Sequence, residues 1–192
     1  MTSHQDSEVE IKFLVRDLDA LVLALRSAGF HEQTPSTFES NTLYDNPSGD
    51  LRRASEVLRL RQYGDRWRIT HKSKGTTTLH KTRTEHETAV ADGPQMHAIL
   101  TALGYRPSFR YEKFRAEWTD GQGEVVIDRT PIGDLAEIEG APAWIDRIAS
   151  QLGIAQSDYI TDSYAALFFA WKARTQSPAL NMTFDECNTP RP

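Results

Sequence analysis

The sequence has too few cysteines and too few long apolar runs for a disulfide-stabilised or membrane-spanning protein. Its one cysteine, Cys187, excludes an internal disulfide framework and a zinc site built from several cysteines, and is typical of a reducing cytosol. No apolar run approaches the roughly 20 residues needed to cross a bilayer. The N-terminal residues also lack the basic-then-apolar order of a signal peptide. We therefore expect a cytoplasmic protein that has no membrane partner.

An excess of positive charge is also missing. The 22 lysines and arginines are outnumbered by 27 aspartates and glutamates, which gives a formal net charge of −5. This balance argues against a broad nucleic-acid-binding surface, so we expect no nucleic-acid partner. An anionic ligand would have to be attracted by a local cluster of basic groups. With 192 residues, of which 39% are hydrophobic, the chain can bury the core of one ordinary soluble domain.

A strand followed by a helix occurs twice in the chain. Residues 8–13 alternate charged and apolar side chains, as a strand does, and residues 17–29 change to helical spacing between an aspartate N-cap and a glycine C-cap. Residues 85–104 repeat this order of strand, aspartate, helix and glycine. The repetition predicts two similar halves.

Short strands fill most of the remaining sequence. We predict strands at 42–45, 57–62, 66–72, 111–118, 124–128 and 135–139, and helices at 142–152 and from 161 or 162 onward. This content predicts an α+β fold in which about eight strands form a sheet able to close on itself. From about Thr175 the sequence is polar and without period. We therefore predict one domain over residues 1–174 and a flexible polar tail over 175–192.

Charged residues alternate with other residues on strand after strand, and their signs are sorted by strand. Three strands are basic on one face (Arg59 and Arg61; Arg68 and Lys72; Lys113 and Arg115), and one is acidic (Glu137 and Glu139). Two more carry both signs: Glu8, Glu10 and Lys12 on the first, and Arg83, Glu85 and Glu87 on another. A single strand of this kind is usual for a sheet with one solvated face, and that interpretation stays open.

The sorting of charges also suits a particular ligand. A triphosphate needs several guanidinium and ammonium groups around it, and the hard cations Mg²⁺ and Mn²⁺ prefer carboxylate and phosphate oxygens. Basic and acidic strands that face one cavity would meet both needs. Because burying so many charges is costly, we expect the cavity to be open and hydrated.

Eight sequence elements, taken in order, resemble the CYTH superfamily of triphosphate tunnel metalloenzymes. They are Glu8-x-Glu10-x-Lys12, Leu43-Tyr44-Asp45, Leu58-Arg-Leu-Arg61, Ile69-Thr-His-Lys72, Arg83-x-Glu85-x-Glu87, Lys113-x-Arg115, Ile127-Asp128 and Glu137-Ile-Glu139. This superfamily includes class IV adenylyl cyclases, thiamine triphosphatases and inorganic triphosphatases. The resemblance implies an eight-stranded antiparallel β-barrel, a triphosphate tunnel, with flanking helices.

The resemblance also implies roles for individual residues. The metal ligands would be Glu8, Glu10, Glu137 and Glu139, helped by Glu87 and Asp128, with Mg²⁺ or Mn²⁺ as the cofactor. The triphosphate ligands would be Lys12, Arg59, Arg61, Lys72, Arg83, Lys113 and Arg115. The residues implied to act in catalysis are Glu8, Glu10, Lys12, Lys72, Glu137 and Glu139. The chain departs from the commonest family pattern at Leu135 and at residues 75–78, which we expect to lie near the tunnel mouth.

Three functions remain open from the sequence. The first is a metal-dependent hydrolase of inorganic, nucleoside or other organic triphosphates. The second is a class IV adenylyl cyclase that converts ATP to cyclic AMP and pyrophosphate, and the third is a non-catalytic module that binds polyphosphates or nucleotides. We rank hydrolysis first. The apolar surface around Phe168, Phe169 and Trp171 is also compatible with a homodimer.

Overall fold

The computed structural model describes residues 6–192 of the chain, and this part contains nine strands and five α-helices. The strands are β1 (Asp6–Leu14), β2 (His31–Asp45), β3 (Val57–Tyr63), β4 (Arg66–Lys72), β5 (Thr76–Thr77), β6 (Lys81–Val90), β7 (Arg106–Thr119), β8 (Glu124–Thr130) and β9 (Gly133–Glu139). The helices are α1 (Leu18–Ser27), α2 (Asp50–Ala54), α3 (Gly93–Ala102), α4 (Pro142–Gln151) and α5 (Tyr164–Thr175). In this part of the chain no helix is long and apolar enough to cross a membrane.

Eight of the strands form a closed antiparallel barrel. Their order is β1-β9-β8-β7-β2-β3-β4-β6, and pairing of β6 with β1 closes the ring. The two-residue strand β5 only adds to the edge of β6. Because side chains alternate across a strand, each strand of a closed barrel sends every second residue inward. The predicted α+β fold with an eight-stranded antiparallel barrel and flanking helices is confirmed.

The two predicted halves have the same local geometry. Helices α1 and α3 begin at the N-caps Asp17 and Asp92, whose carboxylates accept backbone hydrogen bonds from residues three positions later. Each helix is followed by a glycine in the left-handed region, Gly29 with φ 88° and Gly104 with φ 95°. Strands β1 and β6, which precede these helices, pair with each other, as do β2 and β7, which follow them. The halves therefore meet along two equivalent seams.

The main hydrophobic core lies outside the barrel, between its wall and helices α1 and α4. Ile11 and Ile138 on the barrel pack with Leu25 of α1 and Ile145 of α4, and all four are fully buried. Helix α3 covers a second outer cluster. Helix α5 instead packs through Phe168 on Phe109 and Tyr111, which face the inside of the barrel. The interior of the barrel is therefore left to the other face of each strand, which carries the charges.

The C-terminal segment (residues 176–192) packs against the barrel, where the sequence predicted a flexible polar tail. Strand β8 pairs with β7 only from Phe114 onward, which leaves β7 without a β-strand partner on that side at residues 110–112. Met182 fills this gap, because its carbonyl accepts from Glu112 N at 2.9 Å and its own N–H donates to Arg110 O at 3.0 Å. Met182 and Phe184 are buried as a result.

Strand β2 is much longer than the predicted strand at 42–45. It begins at His31 and passes Pro35 through two irregularities in its register with β7. The first residues of β2 are polar and largely exposed on both faces, so the sequence shows no alternation there. A proline in such a run also argues against a strand, although bulges tolerate it.

Candidate active site in the barrel tunnel

The barrel encloses a cavity of about 1240 Å³. Every residue to which the sequence assigned a site role, apart from Asp128, lines this cavity. These residues are Glu8, Glu10, Lys12, Arg59, Arg61, Lys72, Arg83, Glu87, Lys113, Arg115, Glu137 and Glu139. They come from six strands, so the closed sheet is what brings them together.

Lys12 lies between two carboxylates at the acidic side of the tunnel. Its Nζ is 2.9 Å from Glu10 Oε1 and 3.0 Å from Glu137 Oε1, and 3% of its side chain is exposed. Burial opposes the charge on Lys12, but Glu137 and Glu10 outweigh it and raise the pKa of the lysine. Burial likewise opposes the charge on Glu137, and Lys12 and Arg115 lower the pKa of that carboxyl well below its usual range. Lys12 and Glu137 are therefore both charged at neutral pH.

Glu139 lies across from Glu10 on the neighbouring strand and has a different environment. Solvent reaches it through the tunnel opening, yet the barrel wall surrounds much of the side chain. Desolvation by that wall, followed by the charges of Glu8, Glu137 and Glu10, raises the pKa of Glu139 to about 8. Negative charge is therefore in excess at this end of the tunnel.

The donor set at this end fits a hard divalent cation. Glu8, Glu10, Glu137 and Glu139 offer only carboxylate oxygens, the ligands that Mg²⁺ and Mn²⁺ prefer, and a cation would relieve the repulsion that raises the pKa of Glu139. Within residues 6–192 no three acidic, histidine or cysteine side chains already converge as a metal site. Three of the four, Glu8, Glu10 and Glu137, are instead paired with lysine or arginine.

Glu8 and Glu85 share Lys72 between them. Lys72 Nζ is 2.7 Å from Glu8 Oε1 and 2.6 Å from Glu85 Oε2, and Arg83 Nε is 3.1 Å from Glu8 Oε2. Burial opposes the charge on Glu8, but Lys72 and Arg83 lower its pKa to about 2. Glu85 had no assigned role in the sequence analysis, although it alternates with Arg83 and Glu87 on one face.

Glu87 is held by arginines, although a role in metal binding was predicted for it. Its carboxylate lies 3.4 Å from Arg59, 3.1 Å from Arg61 and 2.9 Å from Arg68, and it accepts a 2.7 Å hydrogen bond from Thr70. Burial would raise its pKa, but Arg61 and the Thr70 hydrogen bond contribute to a lowered value. Glu87 therefore neutralises and positions the basic wall in the structure described.

Asp128 lies in the barrel wall with no exposed surface, which explains its absence from the cavity lining. It accepts two hydrogen bonds from Arg115, at 2.7 and 2.6 Å, and one from Lys113 at 2.9 Å. The hydroxyl of Tyr164 donates a further hydrogen bond to it. Asp128 thereby fixes the direction of two predicted phosphate ligands.

Glu39 and Asn41 are tunnel-wall residues that the sequence analysis missed. Both have no exposed surface, and Asn41 donates a 2.8 Å hydrogen bond to Glu39. Glu39 lies 3.5 Å from Lys113 and 3.7 Å from Arg61. Burial would raise its pKa, but Lys113 and Arg115 outweigh burial and lower it to about 2. One signal was available in the sequence: Glu39, Asn41 and Leu43 are every second residue of β2, so they lie on the same face of the strand.

Two tyrosines, also missed, cover the basic wall where helix α5 begins. Tyr111 stacks on Tyr164 with ring centroids 5.6 Å apart, and Lys113 Nζ lies 4.5 Å from the centroid of the Tyr164 ring. Arg59 donates a 3.4 Å hydrogen bond to Tyr111. The aromatic faces and hydroxyls thus restrict both cations to the tunnel.

Known proteins resemble the chain over most of its length. A protein of Methanocaldococcus jannaschii named "putative adenylate cyclase" is 26% identical over 171 residues, which cover 83% of this chain and 97% of that protein. The structure of a Vibrio parahaemolyticus protein described by the same words matches with a TM-score of 0.78 and 19% identity, over 86% of this chain and 99% of that one.

A second similar structure has a different activity in its description. It is a Hippeastrum protein described as a "putative adenylyl cyclase" with "a dominant triphosphatase activity". It matches with a TM-score of 0.62 and 19% identity, over 85% of this chain and 95% of its own. At such identities, the two structures show a common fold.

The family itself is shown by a sequence match. The model of the CYTH domain matches residues 6–164, from the first described strand to the first residue of α5. This range contains all the charged residues of the tunnel wall described above, and it ends before the C-terminal segment. The chain therefore belongs to the CYTH domain family.

Proposed function

We propose that this chain is a divalent-metal-dependent phosphohydrolase that cleaves a triphosphate inside the tunnel. The observation that carries the proposal is the sorting of charge within one cavity. Basic side chains of β3, β4 and β7 line the same space as the carboxylates of β1 and β9. A polyanion that carries a divalent cation is complementary to both sides of such a cavity.

The basic wall has hydrogen-bond donors to spare for phosphate oxygens. The Nε atoms of Arg59 and Arg61 are buried and make no hydrogen bond within residues 6–192. Other nitrogens of these arginines contact Glu87. A bound phosphate oxygen would replace the Glu87 carboxylate as the partner of some of them. Lys113 and Arg115 are already oriented by Asp128, so little reorganisation is needed when charge develops on the phosphate.

The acidic side would hold the metal through Glu8, Glu10, Glu137 and Glu139. A divalent ion bound there would neutralise phosphate oxygens and polarise the phosphorus that water attacks. Lys12 lies between Glu10 and Glu137 and is kept charged by both, so it can bind a phosphate oxygen next to the metal ligands. Lys72 plays the corresponding role beside Glu8.

Cyclisation of ATP is the second candidate, and it is favoured by the name of the Methanocaldococcus jannaschii relative. In that reaction the ribose 3′-hydroxyl, rather than water, would attack the α-phosphorus, and pyrophosphate would leave. The same basic wall and metal ligands would serve. Hydrolysis is ranked first because the Hippeastrum protein, described by a cyclase name, is also described by a dominant triphosphatase activity.

Product analysis distinguishes these functions. The chain is incubated with Mg²⁺ or Mn²⁺ and with either ATP or inorganic triphosphate, and the products are separated. We expect orthophosphate from at least one substrate, no cyclic nucleotide, and no turnover after the metal is chelated. Cyclic AMP with pyrophosphate would replace hydrolysis by cyclisation. Tight binding without turnover of either compound would leave a binding module.

The site assignment has its own test. We expect Glu10→Gln and Glu137→Gln each to reduce kcat by at least about a hundredfold, because each removes a negative metal ligand and leaves Lys12 with one partner. Glu32→Gln, a substitution at an exposed position of β2, is the matched control and should leave turnover unchanged. If both tunnel variants kept full turnover and metal dependence, these carboxylates would not be the metal ligands.

A further inference from the structure

Phe169 is an exposed aromatic side chain at the mouth of the tunnel. Seven large hydrophobic side chains are exposed within residues 6–192, and among them Phe169 alone lines the cavity. It is 56% exposed, although Phe168, next to it on α5, is fully buried. Burying an exposed phenylalanine is favourable, so a ligand that covers this ring would bind more tightly.

The ring of Phe169 belongs to a small apolar surface. Its centroid is 5.9 Å from that of Phe109 and 5.4 Å from that of Phe168. Leu43 is the direct cross-strand neighbour of Phe109 and also lines the cavity. Phe109 and Phe168 are buried, so the exposed ring rests on a rigid support and would lose little freedom when it is covered.

This surface continues the phosphate wall along one strand. The inward-facing residues of β7 change from Arg115 and Lys113, through Tyr111, to Phe109 when the strand is followed back toward its N-terminal end at the mouth. At about 3.4 Å per residue, Lys113 and Phe109 are about 14 Å apart along the strand. The wall is therefore cationic in the interior and aromatic at the rim.

A ligand complementary to this gradient carries phosphates at one end and a flat aromatic group at the other. Inorganic triphosphate has nothing to place against Leu43, Phe109 and Phe169, whereas a nucleoside triphosphate has a base that stacks on aromatic rings. We propose that these three residues form a base-binding subsite and that the substrate of the tunnel is a nucleoside triphosphate. The inference rests on the proposed function for the phosphate end of the tunnel.

Equilibrium binding tests the subsite without turnover. Dissociation constants for ATP and for inorganic triphosphate are measured by calorimetry on the full chain with divalent metal withheld. We expect Phe169→Ala to weaken ATP binding about five- to tenfold, the loss typical of one exposed base–aromatic stack, and to change inorganic triphosphate binding less than about twofold. Phe169→Trp should preserve ATP binding. Leu23→Ala, which removes an exposed apolar side chain on α1 that is away from the cavity, should change neither constant.

Several outcomes overturn the inference. Equal loss of both ligands, or loss of neither, in Phe169→Ala would show that the ring recognises no base. If the same variant left both constants unchanged but converted a dimer to a monomer in sedimentation, the ring would pack on a second copy of the chain. Turnover separates this inference from the proposed function. If Phe169→Ala selectively weakens ATP binding but the chain hydrolyses no triphosphate, the subsite is retained and hydrolysis is rejected. If the chain hydrolyses a triphosphate but Phe169→Ala causes no ATP-selective loss, hydrolysis is retained and the subsite is rejected.

Discussion

At the scale of single residues, Glu39 is the least expected group in the tunnel. It is a carboxylate with no exposed surface, and it lies in a wall whose other charged groups are mainly cations that suit an anionic ligand. Its Oε2 accepts no hydrogen bond within residues 6–192, and Arg61 is 3.7 Å away. An ionised carboxylate tolerates such burial only because Lys113, Arg115 and Arg61 surround it. Glu39 is therefore expected to hold these cations in place when no ligand is bound.

We predict that Glu39→Gln lowers the free energy of unfolding at pH 7 by about 3 kcal/mol, since removing one member of a buried ion pair leaves the other uncompensated. Urea unfolding measures the difference. Glu32→Gln, on the same strand but exposed, should change stability by less than about 0.5 kcal/mol. A neutral result for Glu39→Gln would mean that Asp128 and Glu87 suffice for the cations.

The cost of this substitution should depend on pH. The folded-state pKa of Glu39 is lowered to about 2 from an ordinary value of 4.5, so its contribution to stability is complete above about pH 4.5. As the pH falls from there toward 2, the wild-type carboxylate takes up a proton and that contribution is lost. The difference between wild type and Glu39→Gln should therefore shrink over this range. A difference that stayed constant down to pH 2 would contradict the lowered pKa.

The sequence allowed some site residues to be predicted and hid others. Glu8, Glu10 and Lys12 stand on a strand whose alternating residues are apolar, so their shared face was visible. Glu39 and Asn41 follow polar residues on both faces of β2, and their burial depends on the pairing of β2 with β7 across the barrel. Tyr164 was seen only as an apolar helix residue, because its hydrogen bond to Asp128 joins elements far apart in sequence.

At the scale of elements, helix α3 sits on β4 through one close contact. A Cβ atom at Gly93 would lie 2.1 Å from Trp67 Cδ2, which is far inside van der Waals contact. Gly93 begins α3, where alanine would otherwise be favourable, so the need for glycine comes from the tryptophan and not from the backbone. The contact fixes how α3 lies over the barrel.

We predict that Gly93→Ala lowers the free energy of unfolding by about 3 kcal/mol, because the ring must leave its position. In a Trp67→Leu background the same substitution should cost less than about 1 kcal/mol. A double-mutant cycle of thermal or urea unfolding measures this coupling. An equal cost in both backgrounds would show that the glycine is required for another reason.

The C-terminal segment is a second element whose importance can be measured. Met182 has no exposed surface, whereas Leu180, two residues earlier, is 73% exposed. We predict that Met182→Ala lowers the free energy of unfolding by about 2–4 kcal/mol, as expected for a buried methionine, and that Leu180→Ala costs less than about 0.5 kcal/mol. Equal, small effects of both would mean that the segment contributes little to stability.

Helices and strands were predicted correctly where the local sequence pattern is strong. Helices α1 and α3 were predicted because aspartate caps, helical spacing and C-terminal glycines agree in each of them. The packing of the C-terminal segment could not be predicted, because the sequence of the segment has no periodicity. Its backbone pairs with the barrel at Met182, in a gap created by the unequal lengths of β7 and β8. Long-range pairing of this kind leaves no local signal.

At the scale of the whole molecule, the barrel separates two kinds of interaction. The apolar outer faces of its strands pack against α1, α3 and α4, so most of the hydrophobic stabilisation comes from the outside of the wall. The inner faces contribute charges that are partly paired with one another. The fold can thus keep a charged interior because its stability does not depend on filling that interior with apolar side chains.

This separation makes the tunnel a place where a bound anion adds stability. A triphosphate that binds only the folded chain, at about 100 times its dissociation constant, stabilises it by about 2.7 kcal/mol. For a chain of this size we predict a rise in Tm of about 5–11 °C with inorganic triphosphate. Orthophosphate at equal ionic strength, which cannot span the basic wall, should give a much smaller rise.

One further measurement locates the cause of that rise. Lys113→Gln removes a cation that lies in the wall between Glu39 and Asp128, so it should abolish most of the rise produced by inorganic triphosphate. The comparison is made against each variant's own Tm without ligand, because this substitution also alters the stability of the empty barrel. If orthophosphate matched triphosphate, or if Lys113→Gln responded like the wild type, the anion would bind outside the tunnel. The sorted charges of the interior would then have a purely structural role.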